Sequence, residues 1–192
     1  MSGTVRVGDL PDLITITRGL PTQATAASGE LPVLSVADLR GGSSAKRFID
    51  KSALTEAGLR IPFPGDTLIS LEGATVGETF TVPICSIPFA ASQQAAVVHV
   101  VDPSKVDPWY LGSWLTTDAA RAQMLRLTGG GAVQRIPVKD LGTLAMPEFK
   151  SPGEQRRIGD HFRLFQEAIK IHRDIAEHLE AMRVLHAEII FD

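Results

Sequence analysis

Only one cysteine, Cys85, occurs among 192 residues. No internal disulfide can form, which suits a reducing, cytoplasmic setting. No apolar run approaches the roughly 20 residues that span a bilayer, so a membrane role is not expected. Residues 1–12 mix polar and apolar side chains with no apolar stretch behind a basic start, and no signal peptide is expected there. Internal repeats and low-complexity tracts are absent. So is a basic surplus: the formal net charge is −3. If nucleic acid is the partner, phosphate neutralisation must come from a local patch or from another subunit. Hydrophobic residues make up 44% and charged residues 21% of the chain, an ordinary globular composition.

Catalytic signatures are missing too. There is no G-x-S-x-G, H-E-x-x-H, C-x-x-C or Walker loop. The Gly129-Gly130-Gly131 run lacks phosphate-loop spacing and reads as a helix stop. Cys85 has no activating partner nearby in sequence and reads as an idle thiol. His99, His161, His172, His178 and His186 never fall at the i,i+4 spacing of helical metal ligands. The chain therefore reads as a non-enzyme with no cofactor and no metal site.

Two parts differ in character. Residues 1–150 are rich in Gly, Pro, Thr and Val in short extended runs, whereas residues 151–192 have no Pro after Pro152 and no Gly after Gly159. In the first part, residues 31–36 read as a strand ending near Asp38-Leu39, and Gly41-Gly42-Ser43-Ser44 as a flexible loop leading to Lys46-Arg47. Residues 66–71 alternate as a strand, residues 73–77 turn the chain, and residues 79–84 return it. The β-branched run 95–101 is a candidate central strand. Asp107-Pro108 opens a short helix through Trp109, Leu111 and Leu115. A second helix spans about 117–127, and short strands near 133–136 and 144–146 close the unit. This predicts an α+β fold with a twisted, barrel-like sheet.

Ser151-Pro152-Gly153-Glu154 is a capping box with proline at the first helical position. A helix from there to about residue 190 is roughly 60 Å long at about 1.5 Å per residue. Ala168, Ile175, Met182 and Ile189 recur every seven residues beside Leu164, Ile171 and Leu185, a coiled-coil-type stripe. A domain of this size is too small to cover that stripe along its whole length. Unless the helix folds back on its own domain, the remainder must meet another chain.

The order of signals now carries a resemblance. Phe63-Pro64-Gly65-Asp66-Thr67-Leu68-Ile69-Ser70 is followed by Glu72-Gly73-Ala74-Thr75-Val76-Gly77, by Gln93-Gln94, and by Asp107-Pro108-Trp109-Tyr110-Leu111. Then come Gln134-Arg135-Ile136-Pro137 and Pro147 with Glu154-Gln155-Arg156-Arg157-Ile158. This set resembles a target-recognition domain of type I restriction-modification specificity (S) subunits with its following helix. Gln93-Gln94 stands where the family carries Asn-Gln. Such subunits usually have two recognition domains and two long helices, so this chain looks like a half-subunit.

The resemblance implies a DNA-reading domain over 1–150 and a helix over 151–192 for dimerisation and docking. Its expected partners are double-stranded DNA, a methyltransferase (M) subunit that holds S-adenosylmethionine, and a nuclease/translocase (R) subunit. It pairs with a second copy or a related chain to read a bipartite target. Candidate DNA contacts are Arg40, Ser43, Ser44, Lys46 and Arg47 in the glycine loop, with Thr75, Arg18 and Lys51 around it. Solvated surface charge is the plainer account of any one of them. Candidate dimer contacts are Leu164, Ala168, Ile171, Ile175, Met182, Leu185 and Ile189. The competing class is a non-DNA adaptor domain on a coiled-coil stalk.

Overall fold

The computed structural model describes residues 3–41, 45–84, 86–129 and 133–191; Ser43, Ser44 and Cys85 lie outside them. Ile14 and Ile16 alternate with Thr15 and Thr17 in strand β2 (Ile14–Arg18), following β1 (Thr4–Arg6). Next come β3 (Leu31–Leu34), α1 (Val36–Gly41), β4 (Phe48–Ile49) and α2 (Lys51–Glu56). Then follow β5 (Thr67–Ser70), β6 (Thr79–Thr81), β7 (Ala90–Ala91) and β8 (Ala95–Val100). Helices α3 (Pro108–Leu115) and α4 (Asp118–Arg126), strand β9 (Ala145–Pro147) and helix α5 (Pro152–Phe191) complete the order.

The fold is α+β, but the described strands do not close into a barrel. They form an open four-stranded sheet in the order β2-β8-β5-β6, a three-stranded sheet β4-β3-β7, and a two-stranded ribbon β1-β9. The run 95–101 is central as expected: β8 pairs antiparallel with β2 and with β5. The two central strands β5 and β8 are buried on both faces, and β8 is accordingly apolar at all but His99, whereas the edge strand β2 exposes Thr15 and Thr17. Ile69, Ala96, Val98 and Val100 join Leu111, Leu115, Met124 and Ile136 on one side. On the other, Leu68 and Val97 join Phe80, Val82 and Phe89.

Three predicted strands are shorter or absent. Residues 31–36 stop pairing at Leu34, because Ser35 and Asp38 cap a helix: Ser35 N donates to Asp38 Oδ2 at 2.9 Å and Asp38 N to Ser35 Oγ at 3.2 Å. The return strand ends at Thr81, where Pro83 follows within two residues and removes a ladder donor. Residues 133–136 contribute only an isolated bridge between Arg135 and Glu72.

The two short helices start as predicted. Asp107 accepts from Tyr110 N at 2.8 Å with Pro108 next to it, and Thr117 Oγ1 accepts from Ala120 N at 3.2 Å. The capping box of α5 is formed as well. Ser151 Oγ donates to Glu154 Oε2 at 2.8 Å, and these bonds from Ser151 hold the Glu154 carboxyl below the usual carboxylate range.

The foot of α5 is fixed to α3 by two residues. Gln155, only 2% exposed, accepts from Asp107 N at 3.0 Å and donates to the carbonyls of Lys105 and Lys150 at 3.2 and 2.9 Å. Gly159 lets the helices touch: a Cβ there would fall 2.2 Å from Asp107 Oδ1 and 3.1 Å from Trp109 Cβ. Burial under this contact pushes the Asp107 carboxyl up, against the lowering effect of the Tyr110 and Trp109 amides. Beyond the foot Ile84 N still donates to Glu167 Oε1, but the apolar stripe of the helix stays uncovered. Leu164, Ile171, Ile175, Met182, Leu185 and Ile189 are each about half or more exposed, and Ala168 is exposed. Among the described residues no helix is long and apolar enough to cross a membrane.

Gly159→Ala is expected to destabilise the protein by about 1–3 kcal/mol through overpacking. Gly153→Ala, in the same helix but facing open space, should be neutral or stabilising by up to about 1 kcal/mol. Chemical denaturation of the two variants checks the pair.

Candidate nucleic-acid interface

Strand register places Arg18, one of the predicted contacts, at one end of the four-stranded sheet. Arg18 pairs with Ala96, Ala96 with Ile69, and Ile69 with Thr79, so these four residues form a single row across all four strands. Three strand spacings of roughly 4.8 Å separate the ends of that row by about 14 Å. That matches the roughly 12 Å width of the DNA major groove. The loops beyond the row are the Ser92–Gln93–Gln94 turn into β8 and the Glu72–Gly77 turn between β5 and β6, whose Gly73 and Gly77 have positive φ.

On the β2 side lies an open cleft of about 520 Å³. Lys46 and Arg47 line it with Thr22, Thr25, Asp38, Gln93 and Gln94. Arg47 is exposed but oriented, since its Nη1 donates to Thr22 O at 3.3 Å and Thr25 Oγ1 at 3.1 Å. Gln93 braces the rim: its Oε1 accepts from Thr22 N at 3.3 Å and its carbonyl accepts from Arg18 Nε at 3.0 Å. Gly19 permits this approach, because a Cβ would lie 2.1 Å from Ser92 O. Gln94, on the same turn, is exposed. Ser92 Oγ is a buried polar atom without a hydrogen-bond partner among the described residues.

Lys46 and Arg47 therefore share one cleft, and Arg18 is tied to its rim through the Gln93 carbonyl. Arg40 and Thr75 sit at the opposite edge and are engaged. Arg40 contacts Glu78 at 3.3 Å and donates to Thr79 O at 3.3 Å, and the Thr75 hydroxyl bonds Ser70 Oγ at 2.9 Å. Three amides of that turn, those of Val76, Gly77 and Glu78, also point inward to carbonyls. Lys51 opens α2, its amide donating to Glu30 Oε2 at 2.8 Å, and it is not part of the cleft lining.

Two arginines at the same end received no role from the sequence. Arg121 on α4 lies 3.7 Å from Glu78, and Arg135 lies 3.5 Å from Glu72. Both placements depend on pairings remote in sequence. A third group, Asp66, is 3% exposed and takes bonds from Phe63 N (2.7 Å), Arg60 Nη1 (2.8 Å) and His99 Nδ1 (2.8 Å). It ties the Pro64-Gly65 turn to β8, a bracing role. Among the described residues no group of three or more His, Cys, Asp or Glu is placed to hold a metal ion.

A sheet end with Arg18 and the Gln93–Gln94 turn at one edge and arginine-paired carboxylates at the other, joined to a long helix with an exposed apolar stripe, suits a recognition module. The family model for the type I restriction modification DNA specificity domain matches residues 2–181, and the chain belongs to that family. No curated protein matches it. Three solved structures share the fold. The type I restriction-modification S subunit of M. genitalium superposes with a TM-score of 0.67 at 16% identity, over 95% of this chain and 44% of that one. A structure described as the basis of complex assembly and conformational transition of the type I R-M system gives 0.57 at 20% identity, over 94% and 42%. The HsdS subunit of Thermoanaerobacter tengcongensis gives 0.56 at 20% identity, over 88% and 38%. The chain thus spans less than half the length of each.

Arg47→Ala is expected to weaken duplex binding by about 1–3 kcal/mol and to relax the target at one position. Lys46→Ala should weaken all duplexes alike and reduce the salt dependence by about one counterion. Anisotropy titrations at several salt concentrations, on the motif and on scrambled duplex, distinguish the two.

Proposed function

We propose that residues 1–150 read one half-site of a bipartite DNA target, and that residues 151–192 dock the module to its partners. The Gln93–Gln94 turn is the observation that carries this reading, since it lines the cleft of Lys46 and Arg47 and its Gln93 carbonyl holds Arg18 at the sheet end. The chain itself is non-catalytic. The adenine methyl transfer belongs to a methyltransferase subunit, which binds S-adenosylmethionine and extrudes the base. A nuclease/translocase subunit is the further partner that a type I system supplies.

The exposed stripe of α5 supports pairing with a second copy through Leu164, Ala168, Ile171, Ile175, Met182, Leu185 and Ile189. Burying each aliphatic side chain contributes about 1.5–3 kcal/mol, enough to hold two chains when several act together. A two-fold pair makes the readers identical and oppositely directed, which demands an inverted-repeat target. The rod of about 60 Å limits half-site separation to about 18 base pairs at roughly 3.4 Å each.

Two measurements test this. The chain with its methyltransferase should shift a duplex carrying the motif in preference to a scrambled one; equal or absent binding would favour an adaptor role instead. Ile175→Glu should halve the sedimenting mass of the chain, and a mass identical to wild type would remove α5 as the pairing element.

A further inference from the structure

A protein of net charge −3 that reads DNA has to manage its own carboxylates. Two of them, Glu72 and Glu78, flank the Gly73–Ala74 tip at the DNA-facing end of the sheet, where any carboxylate repels phosphate. Each is paired with arginine from elsewhere in the fold. Glu78 takes Arg40 of α1 at 3.3 Å and Arg121 of α4 at 3.7 Å, and Glu72 takes Arg135 at 3.5 Å.

The relative burial of the partners is informative. The side chains of Glu72 and Glu78 are 22% and 23% exposed, whereas the three arginines are 47–52% exposed. The carboxylates lie underneath and the guanidinium groups lie over them, facing solvent. A guanidinium has five donors in a rigid fork, and carboxylate and phosphate present it with similar paired oxygens. Ion pairs this exposed are weak and loosely held, so a phosphate can compete for the arginine.

We propose that Glu72 and Glu78 are specificity-determining residues that act as internal phosphate surrogates. They hold Arg40, Arg121 and Arg135 away from the backbone of random DNA and release them where base contacts in the Arg47–Gln94 cleft are also made. This rests on the DNA-reading function proposed above. On random sequence, a phosphate must displace Glu72 or Glu78 and leave a half-buried carboxylate facing the duplex, which offsets most of the gain. On the target, the base contacts supply the difference. The carboxylates therefore lower affinity most for random DNA, where no base contacts hold the backbone against the displaced ion pairs.

The test uses the full chain with its methyltransferase subunit. Affinity is measured by anisotropy for a random-sequence duplex and for a duplex carrying the methylated motif, across a salt series. Glu78→Gln and Glu72→Gln should each raise affinity for random duplex by about tenfold and steepen the log–log salt slope by roughly 0.9 per arginine released. The motif-to-random ratio should fall. Adding Arg121→Ala to Glu78→Gln should reverse part of the gain. Glu56→Gln, which changes net charge equally at an exposed position on α2, should change little.

Unchanged or weaker random binding in both glutamine variants, with melting temperatures at the wild-type value, would overturn the proposal. So would an equal gain from Glu56→Gln, which would reduce the effect to net charge. If Glu78→Gln unfolds the domain, Glu72→Gln decides alone, and if both unfold, the carboxylates are braces of the fold and the proposal fails. A wild-type complex that does not distinguish the motif from random duplex would mark failure of the DNA-reading function itself.

Discussion

The molecule depends on one buried amide. Gln155 holds the start of α5 against the N-terminus of α3 through bonds to Asp107 N and Lys105 O, and a third bond, to Lys150 O, fixes the chain leading into α5. A buried polar side chain this well satisfied fixes orientation, because any rotation of the helix leaves donors and acceptors unpaired at a cost of about 1–3 kcal/mol each. Gly159, one turn on, brings the two helices into backbone-level contact. Together they set the direction in which about 40 residues of rod leave the recognition unit. Whatever pairs with the rod inherits that direction, and so does the spacing between two reading faces.

From that fixed foot, the four-stranded sheet transmits rigidity to the reading end. Its central strands β5 and β8 are buried on both faces, so their register cannot slip without exposing a whole layer of core. Arg18, Ala96, Ile69 and Thr79 are locked in one row, and the loops beyond them are carried on strands instead of on long mobile segments. The net charge of −3 then ceases to argue against DNA. What matters is the local arrangement: Lys46 and Arg47 in one cleft with Arg18 held at its rim by Gln93, and Arg40, Arg121 and Arg135 laid over two carboxylates at the other edge.

Features set by near neighbours were legible in the sequence. The Ser151–Glu154 capping box, the Asp107 and Thr117 helix starts and the β-branched β8 are all present, because each is decided within a few residues. The Ser35–Asp38 cap of α1 carried an equally local signal, but the apolar run before it reads as strand throughout. Non-local features were not legible. Closure of the sheet into a barrel depends on which edges meet, and β2 and β6 remain separate edges. The grouping of Arg18 with Arg47, and the approach of Arg121 and Arg135 to the β5–β6 turn, follow from register and helix packing between residues dozens of positions apart. The Glu154-Gln155 pair carries the resemblance in sequence, but only the burial of Gln155 and its bonds to Asp107, Lys105 and Lys150 reveal its structural role.

The central claim is that this chain gives a methyltransferase its DNA sequence preference. Methylome sequencing tests it most directly, in cells that carry the cognate methyltransferase with and without this chain. The account predicts methylated adenines in a gapped, inverted-repeat motif that appears only when the chain is present. Adenine methylation at the same sites after deletion of the chain would contradict the claim, and a continuous or asymmetric motif would contradict the two-fold arrangement of its readers.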